Sequence, residues 1–178
     1  MRQRNAFAET MTHSLQPLNV LFLCTHNSAR SILAEALLNA IAKGRFQAYS
    51  AGSSPRENQR PNPLGLQVLQ NAGIPIDGLH SKSWDVFATP DAPKMDLIIT
   101  VCDNAAGEVC PIWPGHPSTA HWGYPDPSEG NGTDAEKREA FRKTMHAVKR
   151  RLELMCQLPP EKLERALLQT SARALANS

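Results

Sequence analysis

The sequence lacks any apolar run long enough to span a bilayer, and its N-terminus has no apolar stretch of the signal-peptide type. These two absences argue against a membrane protein and against export, so we expect the chain in the cytoplasm. Charge imbalance is also small, because the formal net charge is +2 at pH 7 in 178 residues. A chain so close to neutral has no surplus of either sign that would favour nucleic acid or a membrane surface as a partner.

Motifs for metal binding are missing as well. There is no Cys-x2-Cys pair and no His-x3-His cluster, so the sequence predicts no metal site from spacing alone. Only four cysteines are present, at positions 24, 102, 110 and 156. So few thiols, in a chain long enough for one sizeable core, indicate a reducing compartment in which cysteines are catalytic or redox-active.

Strand-like and helix-like segments alternate along the chain. We expect residues 1–18 to form a disordered leader, residues 19–158 a single domain, and residues 159–178 a helical extension that is either solvated or part of a dimer contact. Apolar runs and helical spacing predict the elements. The predicted strands are 19–24, 46–51, 95–102 and about 119–122, and the predicted helices are 30–43, closed by Gly44, 62–72, ended by Gly73, and one that is N-capped by Asp134 and runs to about Cys156.

This alternation predicts an α/β domain with a parallel sheet and right-handed crossovers. Ligands of such sheets bind beyond the carboxyl ends of the strands. Cys24 and Cys102 both follow predicted strands, so we expect them at the same edge of the sheet. Cys156 lies among the apolar residues of the last helix and is predicted to belong to the core.

Cys24 ends the first predicted strand and begins a short loop that leads into a helix. Successive backbone N–H groups of such a loop, together with a helix N-terminus, form an anion site. Arg30 adds a planar fork that suits a tetrahedral oxyanion. We expect this field to lower the pKa of Cys24 and to make it a nucleophile; the alternative is an inert buried cysteine beside a surface arginine. The predicted oxyanion-binding residues are Thr25, His26, Asn27, Ser28, Ala29, Arg30 and Ser31.

Cys102 and Cys110 are a candidate redox pair. If the segment between them is helical, its ends lie about 12 Å apart, whereas a disulfide needs Cα atoms within about 7 Å. Pairing would therefore require the segment to loop out, which the flexible backbone at Gly107 would ease. Cys102 could then act as a resolving thiol; the alternative is that both cysteines are small buried structural residues.

Asp126 is held between Pro125 and Pro127, in a loop whose backbone is restricted. A carboxyl fixed in this way could donate a proton to a leaving oxygen as a general acid. The alternative is an ordinary turn aspartate.

Four segments together carry a family resemblance. They are Val20-Leu-Phe-Leu-Cys24-Thr-His-Asn-Ser-Ala-Arg30-Ser31, Tyr49-Ser-Ala-Gly52, Cys102 with Cys110-Pro111, and His121-Trp-Gly-Tyr-Pro-Asp126-Pro127. With these segments the chain resembles the arsenate reductases built on the fold of the low-molecular-weight protein tyrosine phosphatases. The resemblance implies three layers, with a four-stranded parallel sheet flanked by helices. It also implies that arsenate is reduced to arsenite, with Cys24 attacking arsenic, Arg30 holding the oxyanion and Asp126 acting as the general acid.

The same resemblance implies a thiol relay with no bound cofactor. Cys102 would attack arsenylated Cys24 and release arsenite, and Cys110 would then form a disulfide with Cys102 for an external reductant. Seven residues lie between Cys102 and Cys110, one more than in the thioredoxin-linked members. The reductant is therefore left open between thioredoxin and glutaredoxin with glutathione.

Potassium is a further candidate from the resemblance. Asn27, Glu35 and Ser50 match positions that bind a structural potassium ion in some members. The segment His80-Ser-Lys-Ser83, however, places a serine where those members have an aspartate ligand.

Two other functions stay open. A phosphatase of the same fold would use Cys24 with water, but it would give Cys102 and Cys110 no task. A non-enzymatic module would only bind an oxyanion or sense oxidants, and it would not need Asp126. For the reductase we expect arsenate as the substrate, phosphate or sulfate as analogues, and a monomer or weak homodimer.

Overall fold

A computed structural model describes residues 16–103, 117–159 and 161–163. The predicted leader and C-terminal extension lie mostly outside these ranges, and Cys110 lies outside them entirely. The elements are β1 (Leu18–Cys24), α1 (Arg30–Ile41), β2 (Phe46–Gly52), α2 (Pro63–Asn71), a 3-10 helix (Trp84–Phe87), β3 (Leu97–Thr100), β4 (Ser118–His121) and α3 (Asp134–Gln157).

The four strands form one parallel sheet in the order β2-β1-β3-β4. β1 is central because its apolar run LNVLFLC can be buried on both faces. Phe22 and Cys24 face one side of the sheet, and Leu21 and Leu23 face the other, as the two-residue period of a strand requires.

Helices cover both faces of the sheet. The larger core cluster lies on one face, where α1, α2 and α3 contribute residues such as Leu37, Leu69 and Phe141. On the other face, Trp84 and Phe87 of the 3-10 helix pack on Leu21 and Ile98. The predicted α/β fold, with a four-stranded parallel sheet flanked by helices, is confirmed.

Several element ends differ from the prediction. Helix α1 ends at Ile41 rather than at residue 43, because Lys43 and Gly44 both adopt positive φ angles, of 48° and 83°. Helix α3 is capped by Thr133, whose side chain accepts a hydrogen bond from the backbone N–H of Glu136, so the prediction of Asp134 as the N-cap is wrong by one residue.

The strands differ in the same way. Leu18, placed in the leader, is the first residue of β1 and pairs with Phe46. The third strand is shorter than predicted and covers only Leu97–Thr100. No helix within the described ranges is long and apolar enough to cross a membrane.

Candidate active site

The loop between β1 and α1 lies at the carboxyl edge of the sheet. Its backbone carbonyls at Cys24, Thr25 and Ser28 accept hydrogen bonds of 2.8–3.0 Å from neighbouring backbone N–H groups. The backbone N–H groups of residues 26–29 donate to no acceptor in the part of the chain that the structure describes. No side chain caps α1. The loop therefore offers several N–H donors to an anion.

Asn27 holds the shape of this loop. It is fully buried and has a φ of 54°, in the left-handed region that few residues other than glycine and asparagine tolerate. Its Nδ2 donates to Ser31 Oγ at 2.9 Å and to Ser50 Oγ at 3.0 Å, and its Oδ1 accepts the backbone N–H of Lys82 at 2.9 Å. Asn27 is thus a structural residue of the loop, tied to α1, β2 and residue 82.

Arg30 and Asp126 meet at the mouth of the loop. Arg30 donates through Nη1 to the Tyr124 carbonyl at 2.8 Å, and its Nη2 lies 3.4 Å from Asp126 Oδ2. The buried Arg30 Nε has no acceptor within the described residues. Ser128 fixes the other carboxylate oxygen, to which it donates from its backbone N–H at 2.9 Å and from Oγ at 2.6 Å. One face of the guanidinium therefore keeps an unused donor.

Cys24 and Cys102 lie together, as predicted from their places at the ends of parallel strands. Both are buried, with 4% and 2% of their surface exposed, and their side chains are hydrogen-bonded to each other. Thr25 Oγ1 lies 3.5 Å from Cys102 Sγ. Two thiols thus stand side by side at the oxyanion loop.

The expected lowering of the Cys24 pKa is wrong for this arrangement. The hydrogen bond with Cys102 and burial raise the pKa of Cys24, and they outweigh the opposing effects of the Arg30 guanidinium and the Thr25 backbone N–H. The positive groups of the loop are visible in the local sequence, whereas the second thiol comes from a strand that is distant along the chain. Contact with Cys102 therefore favours the protonated form of Cys24.

A polar chain beside Cys102 was not predicted. His121 Nδ1 lies 2.7 Å from Thr100 Oγ1, and His121 Nε2 lies 2.8 Å from Asp103 Oδ1. These hydrogen bonds link the ends of β3 and β4 to Asp103, the residue that follows Cys102. No local sequence pattern predicts it, because the three residues meet only when the strands pair.

The candidate potassium residues surround a lysine. Ser50 Oγ donates to the Glu35 carboxylate, and the Lys82 ammonium donates to the backbone carbonyls of Ser50 and His80 at 2.9 Å each. Burial raises the pKa of Glu35, whereas the Ser50 hydrogen bond and the Lys82 charge lower it. Burial lowers the pKa of Lys82, whereas the Glu35 charge raises it. The Lys82 ammonium already binds the Ser50 carbonyl and is attracted by Glu35, and Asn27 Oδ1 accepts the Lys82 backbone N–H. The residues present therefore do not fit a potassium ion.

No group of three or more His, Cys, Asp or Glu side chains that could hold a metal is found in the described ranges. Cys156 is half-buried near the end of α3, where it packs against the larger core. Burial raises the pKa of its thiol. The structure therefore brings Cys24, Arg30, Cys102 and Asp126 to one place, and it keeps Cys156 out of it.

Comparisons with known proteins agree with this geometry. The family model for low molecular weight phosphotyrosine protein phosphatases matches residues 19–167. The chain is 34% identical over 133 residues to an arsenate reductase of Halalkalibacterium halodurans, and 33% identical to one of Bacillus subtilis; each alignment covers 75% of this chain and 91% of the relative.

Solved structures show the same likeness. An arsenate reductase in the phosphate binding state superposes with a TM-score of 0.59 at 25% identity, covering 78% of this chain and 96% of the other. A thioredoxin-dependent arsenate reductase of Corynebacterium glutamicum gives 0.51 at 29% identity, with 83% and 67% covered. A low molecular weight protein tyrosine phosphatase from T. tengcongensis gives 0.62 at 22% identity, with 79% and 99% covered, and supports the fold alone.

Proposed function

The chain belongs to the low molecular weight phosphotyrosine protein phosphatase family, and from this premise we propose that it is an arsenate reductase. The observation that carries the proposal is the contact between two buried cysteines, Cys24 and Cys102, beside an oxyanion loop. A phosphatase of this fold needs one thiol and a water molecule. A reductase needs a second thiol, because two thiols supply the two electrons that convert As(V) to As(III).

Binding of arsenate is assigned to the loop and to Arg30. The unused N–H groups of residues 26–29 and the uncapped start of α1 provide donors and a positive dipole end. Arg30 adds its Nε, which has no acceptor within the described residues. This set recognises any tetrahedral oxyanion, so phosphate and sulfate are expected to compete.

Attack by Cys24 forms a sulfur–arsenic bond and expels one arsenate oxygen. Asp126 supplies the proton that lets this oxygen leave as water, and Ser128 holds the carboxyl in place. The Cys24 proton must leave before the attack, and its loss is favoured by Arg30 and disfavoured by Cys102. We infer that entry of arsenate is accompanied by loosening of the thiol pair.

Reduction follows when the Cys102 thiolate attacks Cys24 Sγ. The sulfur–arsenic electron pair stays on arsenic, arsenite leaves, and a disulfide joins Cys24 to Cys102. Cys110 would next displace Cys24, which leaves a disulfide between Cys102 and Cys110. An external dithiol must then reduce this disulfide. We favour thioredoxin over glutaredoxin with glutathione, because a second thiol already in contact with Cys24 acts before a small diffusing thiol can. A reducing compartment such as the cytoplasm would supply either.

The test is arsenate-driven oxidation of NADPH by the purified protein. One reaction supplies thioredoxin and thioredoxin reductase, and a second supplies glutathione, glutaredoxin and glutathione reductase. Turnover with the first system alone supports the relay, and turnover with the second alone keeps Cys24 chemistry but removes the need for Cys102 and Cys110. Hydrolysis of an aryl phosphate with no arsenate turnover would make the protein a phosphatase, and no turnover of either substrate would favour the binding or sensing module.

Single cysteine variants give the control. Cys24→Ser should abolish turnover, because a serine hydroxyl is not ionised where a thiolate can form. Cys156→Ser changes a thiol outside the site and should keep full turnover. Loss of activity in both variants would point to misfolding rather than to chemistry.

A further inference from the structure

The side chain of Lys82 approaches the oxyanion loop from behind, on the side of β2. Its ammonium donates to the backbone carbonyl of Ser50 and to that of His80, each at 2.9 Å. The Glu35 carboxylate on α1 attracts the same charge. The Lys82 ammonium contacts none of the groups assigned to the chemistry, so the proposed reaction leaves its position unexplained.

We propose that the Lys82 ammonium is a built-in monovalent cation that positions the oxyanion loop and makes bound potassium unnecessary. Oxygens from a carboxylate and from backbone carbonyls are the ligands that hard cations take. In this chain the cation is covalently attached, so the loop is held at any potassium concentration. The inference rests on the proposed oxyanion role of the loop but not on arsenate reduction itself.

Two hydrogen bonds tie the segment around Lys82 directly to Asn27, and a third link runs through Ser50. The Lys82 backbone N–H donates to Asn27 Oδ1 at 2.9 Å, and Ser81 Oγ donates to the Asn27 carbonyl at 2.6 Å. Through its ammonium, Lys82 also holds Ser50, whose Oγ accepts from Asn27 Nδ2 at 3.0 Å. Lys82 therefore holds Asn27 both directly and through Ser50, and Asn27 carries the positive φ on which the loop conformation depends.

Charge accounts for the choice of a lysine. Glu35 is partly buried, and its carboxylate accepts from Ser50 Oγ. Without a cation, this carboxylate and the two carbonyls would lie close together with too few hydrogen-bond donors. Burying polar groups without enough partners costs free energy. A positive side chain at position 82 donates to both carbonyls and attracts the carboxylate. Lys82 is thus a positioning residue, which acts on the anion through Asn27.

The first arm of the test uses the unmodified protein. Its dissociation constant for inorganic sulfate and its thermal midpoint are measured in potassium, sodium and tetramethylammonium chloride at equal ionic strength. Both quantities should be the same in the three salts, because Lys82 already occupies the cation position. A selective rise in affinity or midpoint with potassium would overturn the inference, and this arm depends on no variant folding correctly.

The second arm compares two variants. Lys82→Met keeps the volume of the stem without the charge, and Lys82→Ala leaves room for an ion. Both should weaken sulfate binding roughly tenfold, as expected for the loss of charge-assisted hydrogen bonds. Potassium should restore binding in Lys82→Ala but not in Lys82→Met. Sulfate binding unchanged in Lys82→Met would overturn the inference, as would a failure of potassium to help Lys82→Ala.

Lys143→Ala removes an exposed lysine on α3 and should leave binding and salt response unchanged. Sulfate cannot be reduced by thiols under these conditions, so the readout is independent of turnover. A protein that binds sulfate as described but does not reduce arsenate would overturn the proposed function and leave the role of Lys82 standing.

Discussion

At the scale of single residues, the contact between Cys24 and Cys102 controls the ionisation of Cys24. The hydrogen bond with Cys102 is the largest cause of the raised pKa of Cys24, and Arg30 acts in the opposite direction. Cys102→Ala removes the largest raising effect and keeps the lowering effects of Arg30 and the Thr25 backbone N–H. We therefore predict that the pKa of Cys24 falls in this variant, so that alkylation of Cys24 at neutral pH becomes roughly tenfold faster.

The measurement is the pH profile of iodoacetamide alkylation at Cys24, read by mass spectrometry of the peptide that contains it. The profile should move to lower pH in Cys102→Ala and stay in place in Cys156→Ala, which changes a thiol outside the site. An unchanged profile in Cys102→Ala would mean that the two thiols are not in contact in solution.

Asp126 is the second residue whose role can be isolated. Asp126→Asn keeps the shape of the side chain but removes the proton donor, so kcat/KM for arsenate should fall about 100-fold or more. Ser128→Ala deletes one of the two hydrogen bonds to Asp126 Oδ1 and should cost less than about tenfold. Steady-state kinetics on both variants decide the matter, and near-normal turnover in Asp126→Asn would remove Asp126 from the reaction.

The sequence was informative about residues that are close along the chain. The spacing of Cys24 and Arg30 across a strand–loop–helix boundary predicted their shared location. The raised pKa of Cys24 and the place of Lys82 could not be predicted in the same way. Both depend on segments more than 30 residues away along the chain, so no local pattern records them.

At the scale of secondary-structure elements, the end of β2 fits closely under the oxyanion loop. A Cβ added at Gly52 would lie 2.7 Å from the Thr25 carbonyl oxygen and 3.0 Å from the Asn27 backbone nitrogen. Both atoms belong to the backbone, so the loop itself would have to move. We predict that Gly52→Ala weakens sulfate binding by about tenfold or more, because overpacking of this kind costs about 1–3 kcal/mol.

Gly65→Ala in α2 is the matched control. Its added Cβ would lie 3.2 Å from Phe141 Cε1, which belongs to a ring that can shift, and it lies outside the oxyanion loop. Calorimetric titration with sulfate should therefore show wild-type affinity for this variant. Equal affinities for the Gly52→Ala and wild-type proteins would show that the loop is not held by β2.

The elements themselves were predicted where their signals were strong. The continuous apolar run of β1 and the helical spacing of α1 and α3 gave their types and approximate bounds. The ends were less certain, because Thr133 and Asp134 are both good N-cap residues and only the hydrogen bond to Glu136 distinguishes them. The 3-10 helix at Trp84–Phe87 was missed, because four residues carry no readable period.

At the scale of the whole molecule, the parallel sheet was predicted but the order of its strands was not. Strand order depends on long-range pairing, such as that of β1 with β3, which lie more than 70 residues apart along the chain. The apolar patterns indicated four strands, and the family resemblance supplied their arrangement in three layers. The same patterns supplied the alternation of strands and helices and the edge at which ligands bind.

Global stability should depend on pH through Glu35, which joins α1 to β2 through Ser50. Burial raises the pKa of Glu35 above its usual value of 4.5. The folded protein therefore holds this proton more tightly than the unfolded chain does. The stabilising contribution of the protonated carboxyl is complete below about pH 4.5, and it is lost as pH rises through the folded-state pKa.

Glu35→Gln mimics the protonated side chain at every pH, so it isolates this effect. We predict that the free energy of unfolding of the wild type, relative to Glu35→Gln, falls as pH rises above about 4.5. Urea unfolding of both proteins at a series of pH values measures the difference. Glu139→Gln is a control that should show the opposite pH dependence. Arg142 lowers the pKa of the exposed Glu139, so the small contribution of this residue to stability is present at neutral pH and lost in acid. The prediction is wrong if the free energy of unfolding of the wild type, relative to Glu35→Gln, stays constant or increases as pH rises. In that case Lys82 and Ser50 would offset the whole cost of burying the Glu35 carboxylate.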